Sequence, residues 1–202
     1  MKILLIAIPR SGSTTLMKTI SSTLKLSKVN EPFNEGLWKN VKYDNVPENN
    51  VIVKSLVDID VPNIINFYKK YSKLFDKIIL LSRKNTEELI ESYAFQEWNR
   101  KYVNGKVINH GKWQQKYNYV QEGDLDNWTN WTNQMLKNKN DLEIISNELN
   151  IEIDWYEDLY CGDEEKISNF LHKHKLNVDI PKFCHPLNPI HRLRQIKKTR
   201  IS

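Results

Sequence analysis

The sequence predicts a three-layer α/β domain, with helices on both faces of a central, mostly parallel sheet. Three observations lead there. The short apolar runs KILLIAI at 2–8, VIVKSL at 51–56 and KIILLSR at 77–83 have the composition of strands buried on both faces. Segments with helical spacing alternate with these runs, the pattern of parallel strands joined by helical crossovers. Neither an internal repeat nor a linker interrupts the 202 residues, which are enough to bury a sizeable core, so a single domain over 1–202 is expected.

The elements follow in order. After KILLIAI, the stretch PRSGS breaks the apolar run, and Leu16, Ile20 and Leu24 then recur every four residues with Met17 beside them. That spacing predicts an amphipathic helix with Ser13 or Thr14 as its N-cap. SKVNEPFNEG, 27–36, reads as a short strand ending in a proline-directed turn, and 39–50 as a polar loop. VIVKSL is the next strand. Residues 62–75 place Ile64, Ile65, Tyr68, Tyr71 and Phe75 on one side of a helix. After KIILLSR, Asn85 caps a helix with Glu88 three residues on, carrying Leu89, Tyr93 and Trp98 inward. Residues 104–123 show no period and read as an insertion or mobile loop. A long helix from Asp126 carries Trp128, Trp131, Met135, Leu142, Ile145 and Leu149. IEIDWYEDL, 151–159, alternates as a half-buried strand does, a helix over 163–174 follows, and a basic tail over 185–202 ends the chain.

The formal net charge is +5, with the excess concentrated in HRLRQIKKTR, which favours an anionic ligand. The two cysteines, Cys161 and Cys184, lack metal-ligand spacing and are too few for a disulfide framework. KILLIAI is too short to span a membrane and lacks a cleavage pattern, so a cytoplasmic setting and no membrane span are expected. His172, His174, His185 and His191 read as surface or tail residues.

Chemistry concentrates in AIPRSGSTTL, 7–16. A turn from a strand into a helix N-terminus presents unpaired backbone N–H groups, and the helix dipole adds partial positive charge, so the pair makes an anion site. Gly12 permits close approach or positive φ. Ser11, Ser13, Thr14 and Thr15 add hydroxyls, and Arg10 adds a fixed, charged fork. Carboxyl ends of strands are where open α/β sheets bind ligands, and this turn follows the first strand. No Gly-Lys-Ser/Thr closes the loop, which weighs against an ATP or GTP phosphotransferase.

PRSGSTTL, 9–16, closely resembles the phosphosulfate-binding loop of sulfotransferases that use 3′-phosphoadenosine 5′-phosphosulfate (PAPS): Pro, Lys or Arg, Ser-Gly-Ser/Thr, Thr, then an apolar residue. The family's second signature is an Arg at the end of a central strand with a Ser in the following helix, together binding the nucleotide's 3′-phosphate. LLSRKNTEELIESY supplies Arg83 and Ser92 in that order. WYEDL, 155–159, is similar to a late strand-to-helix Tyr-Glu-Asp-Leu segment of structural role, and NEPF, 30–33, to a Glu-Pro step on the second strand of carbohydrate-type members. The likeness runs in order from residue 2 to about 172 and is closer to the carbohydrate or bacterial type than to the cytosolic small-molecule type.

The resemblance implies a P-loop NTPase-like fold, PAPS as donor, 3′-phosphoadenosine 5′-phosphate (PAP) as product, and no metal. It implies that Arg10 and the residues Ser11 to Thr15 hold the phosphosulfate, with Arg10 stabilising the leaving phosphate, and that Lys54 is a second cation near it. Glu31 is the candidate base that takes the acceptor's proton. Glu35 is its fallback and His110 an alternative of the small-molecule type. Arg192 and Arg194 are the tail residues expected to close over the nucleotide. The acceptor is expected to offer a hydroxyl, on a saccharide for instance, with Trp98 and the stretch Trp113 to Tyr119 as stacking candidates. No nucleic acid partner is expected. Two other readings stand beside this one: a P-loop kinase or nucleotide hydrolase with a degenerate loop, and a non-catalytic polyanion-binding module that uses the basic tail.

Overall fold

A computed structural model describes residues 1–33, 49–59, 61–102, 125–160 and 164–176. The expected insertion at 104–123, the tail at 185–202, both cysteines, Glu35, His110, the stretch Trp113 to Tyr119, His185, His191, Arg192 and Arg194 lie outside the described residues.

The described strands are β1 (Lys2–Ala7), β2 (Ser27–Asn30), β3 (Val51–Leu56), β4 (Lys77–Ser82) and β5 (Ile153–Trp155). They form one sheet in the order β2-β3-β1-β4-β5, and every pairing is parallel. Helices α1 (Ser13–Leu24), α2 (Ile64–Tyr71, ending in a 3₁₀ turn, Ser72–Leu74), α3 (Thr86–Tyr102), α4 (Leu125–Leu149), α5 (Tyr156–Tyr160) and α6 (Glu164–Lys173) link or follow them. The fold is therefore α/β with an all-parallel sheet, as the apolar runs predict, and its strand order is P-loop-like. The chain forms two compact units, Met1–Lys84 with Asn138–Leu187 and Asn85–Lys137 with Asn188–Ser202. The sheet belongs wholly to the first.

Alternation along the strands assigns the two faces. Ile3, Leu5, Ala7, Ile52, Ile79 and Leu81 face one side, where Leu16, Met17 and Ile20 of α1, Tyr156 and Leu159 of α5, and Phe170 and Leu171 of α6 cover them. Lys54 shares the parity of Ile52, and its Nζ reaches α1. Ser55 has the opposite parity and meets Tyr68 of α2, so α2 covers the other face. Lys69 of α2 pairs with Glu148 near the end of α4 at 2.7 Å. The side chains of β1, β3 and β4 are mostly buried, which is why these strands read as unbroken apolar runs.

Three expectations need correction. The N-cap of α1 is Gly12, in left-handed geometry (φ 79°, ψ 10°), with no side-chain capping bond, so Ser13 and Thr14 fall inside the first turn. The Gly12 carbonyl already receives the Thr15 and Leu16 N–H groups, and the Thr14 hydroxyl is engaged by Lys54. Second, the alternating run IEIDWYEDL does not stay extended: β5 stops at Trp155 and α5 begins at Tyr156. Glu157 and Asp158 lie in that helix's first turn, where carboxylates suit the dipole, and both bond to Lys84. Third, His174 is not a surface residue. Its Nε2 lies 2.7 Å from Asp154 Oδ2, and its side chain is only 12% exposed. Lys173 binds the other oxygen of Asp154 at 2.8 Å, so the end of α6 is tied to β5. Burial disfavours the Lys173 ammonium, but its hydrogen bond to Asp154 and that residue's charge, followed by those of Glu152, prevail and raise its pKa.

Candidate functional site: an anion loop at the carboxyl edge of the sheet

With β1 between β3 and β4, the carboxyl ends of these three strands lie side by side. Ile8 N–H still reaches the Leu81 carbonyl and Val57 N–H the Ala7 carbonyl, so the loop springs from a fixed sheet edge. The chain then turns sharply. Arg10 has φ 65° and Gly12 φ 79°, both in the left-handed region. For Gly12 that conformation costs nothing sterically, whereas a non-glycine residue such as Arg10 is uncommon there. The Ser11 hydroxyl, completely buried, donates to the Ile8 carbonyl at 2.8 Å and closes the turn from inside. Ser11 thus shapes the loop from within. Ser13 is buried, Thr15 half-buried and Thr14 exposed.

Lys54 rises from β3 beside this loop. Its side chain is only 3% exposed, so it is no solvent-facing strand-end lysine. Its ammonium donates to Thr14 Oγ1 at 2.9 Å and pairs with Glu31 Oε1 at 2.5 Å. Glu31 stands directly after β2. Its N–H donates to the Lys54 carbonyl at 2.8 Å and its φ is 49°. Two residues on, Phe33 packs edge-on against Phe67 and Tyr71, with ring centroids 5.2 and 4.5 Å away. Backbone and aromatic anchor together fix the turn that carries Glu31. Glu31, Lys54 and Thr14 therefore converge although they come from three separate elements.

Arg83 follows β4 and continues the parity of Ile79 and Leu81. Its guanidinium lies over the Tyr156 ring at 4.4 Å, and the residue is 2% exposed. The next residue is held as firmly: Lys84 N–H donates to Glu157 Oε2 at 2.9 Å, and Lys84 Nζ pairs with Asp158 Oδ1 at 2.6 Å. The WYEDL segment thus acts as a cradle for the end of β4. Arg10 lies within the field of Arg83. Its side chain is exposed at the surface, yet crowding by protein displaces water around it. That desolvation, followed by the like charge of Arg83 and opposed by Tyr156, lowers its pKa from the ordinary arginine value. A guanidinium remains charged even so. Two cations whose fields overlap at this sheet edge favour an anion there, beside the N-terminus of α1.

Ser92 lies on α3, half-buried, in the second compact unit. Asn85 caps that helix as expected, accepting from the Glu88 N–H at 3.1 Å. The sequence reading did not anticipate Tyr156, Glu157 and Asp158 as the holders of Arg83 and Lys84, or Thr14 as a partner of Lys54. The repeated acids after an aromatic pair in WYEDL were the available signal for the former.

No protein-family model matches this sequence, and no curated protein does. Among solved structures, the chain is similar to the YorR protein of Bacillus subtilis, determined in complex with phosphorylated GDP. That likeness has 14% identity and a TM-score of 0.43, and covers 87% of this chain and 98% of that one. It is too loose to bear on activity. No helix among the described residues is long and apolar enough to cross a membrane.

Proposed function

We propose that this chain is a sulfotransferase that moves a sulfuryl group from PAPS to an acceptor hydroxyl, with a saccharide as the favoured class of acceptor. The observation that carries this reading is the anion loop with Arg10 on it and the buried Lys54–Glu31 pair beside it. The donor set fits a phosphosulfate: helix N-terminal N–H groups, the Ser13 to Thr15 segment, one guanidinium and one ammonium. PAPS supplies the activated sulfur. Arg10 and Lys54 stabilise negative charge that builds on the bridging oxygen as its bond to sulfur breaks. Glu31 takes the acceptor's proton as the new oxygen–sulfur bond forms, and PAP leaves. Arg83, backed by Tyr156, is assigned to the 3′-phosphate.

The test is turnover. Incubation with PAPS and a panel of mono- and oligosaccharides is expected to release PAP only when an acceptor is present. Magnesium-dependent hydrolysis of ATP or GTP, with no PAP released from PAPS under any acceptor, would overturn the assignment.

A further inference from the structure

We infer that Glu31 and an anion seated in the loop compete for Lys54, so that an arriving anion loosens the Lys54–Glu31 pair. The inference rests on the sulfotransferase reading for the identity of the donor and the role of Glu31, but its geometry is independent of both.

An ammonium has three donors, and here one meets Glu31 Oε1 and one meets Thr14 Oγ1. The Lys54 side chain is 3% exposed and that of Glu31 24%, so the cation is the more desolvated partner. A buried cation keeps its charge only where an anion faces it, and Glu31 fills that role here. A phosphate or sulfate oxygen seated in the loop offers a second anion to the same ammonium. Lys54 is already bonded to a residue of that loop, so it reaches the new partner by side-chain rotation alone. The backbone of Glu31 does not follow it. Its N–H is fixed to the Lys54 carbonyl, and the turn behind it is anchored by Phe33 against Phe67 and Tyr71. Two anions then share one ammonium, so the pair loosens when the loop fills, and Glu31 is less closely held by Lys54.

The experiment is calorimetric titration of the wild type, Glu31→Gln and Glu31→Ala with inorganic pyrophosphate and, separately, with PAP. Removing the competing anion is expected to tighten binding by about three- to tenfold, because the ligand no longer shares Lys54 with Glu31. Adding Lys54→Met to Glu31→Gln is expected to abolish that gain. Unchanged or weaker binding in the folded Glu31 variants overturns the inference, since a carboxylate that merely positions Lys54 for the ligand gives a loss. Absence of any anion binding overturns it too. Pyrophosphate binding without PAP binding removes the sulfotransferase reading and leaves the comparison intact. In the unmodified protein, saturation with pyrophosphate is expected to shift both the Lys54 side-chain nitrogen and the Glu31 carboxyl-carbon resonances. A Glu31 resonance that stays in place contradicts the loosening.

Discussion

Arg83 shows how much one residue's surroundings add to its letter in the sequence. Its position at a strand end was readable, and so was its resemblance to a phosphate-binding arginine. Its burial over Tyr156 was not, because the two residues are far apart in the chain and periodicity says nothing about such pairings. That burial gives Arg83 a structural role beside any binding role. Arg83→Ala removes a desolvated cation–π contact and the packing of the side-chain stem, so it is expected to lower unfolding stability by about 2 kcal/mol in denaturant titrations. Arg83→Met keeps much of the stem's packing. Its expected effect is a smaller stability loss with the preference for PAP over AMP weakened about tenfold, as for loss of a charge-assisted contact. A Met variant that retains the full preference would move the 3′-phosphate site elsewhere. Glu31 and Lys54 were each legible as candidates, but the bond between them was not: each is set by its own strand, and only the parallel register of β2 on β3 brings them together.

At the level of elements, apolar spacing was a sound guide where burial is continuous. β1, β3 and β4 appear as predicted, as do α1, the helix over 62–75 and the long helix from Asp126. It failed at WYEDL, where short alternation came from an edge strand followed by one helical turn rather than from a longer strand. In α2, spacing placed Tyr68 in the core but could not show what its hydroxyl does there. The Tyr68 hydroxyl donates to the Leu56 carbonyl at 2.9 Å, which leaves Ser55 as the donor in their 2.7 Å contact. Tyr68→Phe strands both partners and is expected to cost about 1–3 kcal/mol of stability. Burial, partly offset by the Ser55 bond, raises the Tyr68 pKa above the ordinary phenol value of 10.0. The folded state therefore retains this proton where the unfolded chain releases it. This contribution is fully present below pH 10.0 and declines as pH rises above it. Tyr68→Phe is expected to flatten that alkaline decline in pH-dependent unfolding. An unchanged slope would show that other groups govern it.

For the whole molecule, the α/β class was legible from buried runs alternating with helices, but the strand order was not. A doubly buried strand reads the same wherever it sits in a sheet. The order β2-β3-β1-β4-β5 brings the ends of β3, β1 and β4 together, and with them Lys54, Arg10 and Arg83. The net charge of +5 hinted at an anionic ligand, and this edge is where three of the cations gather. Under the proposed function, this edge takes a 3′-phosphorylated adenosine nucleotide. The decisive experiment is calorimetric titration with PAP, beside ATP and AMP and without added metal. Micromolar binding of PAP and much weaker binding of the other two are expected. Preference for ATP, or equal affinity for AMP and PAP, would contradict this reading.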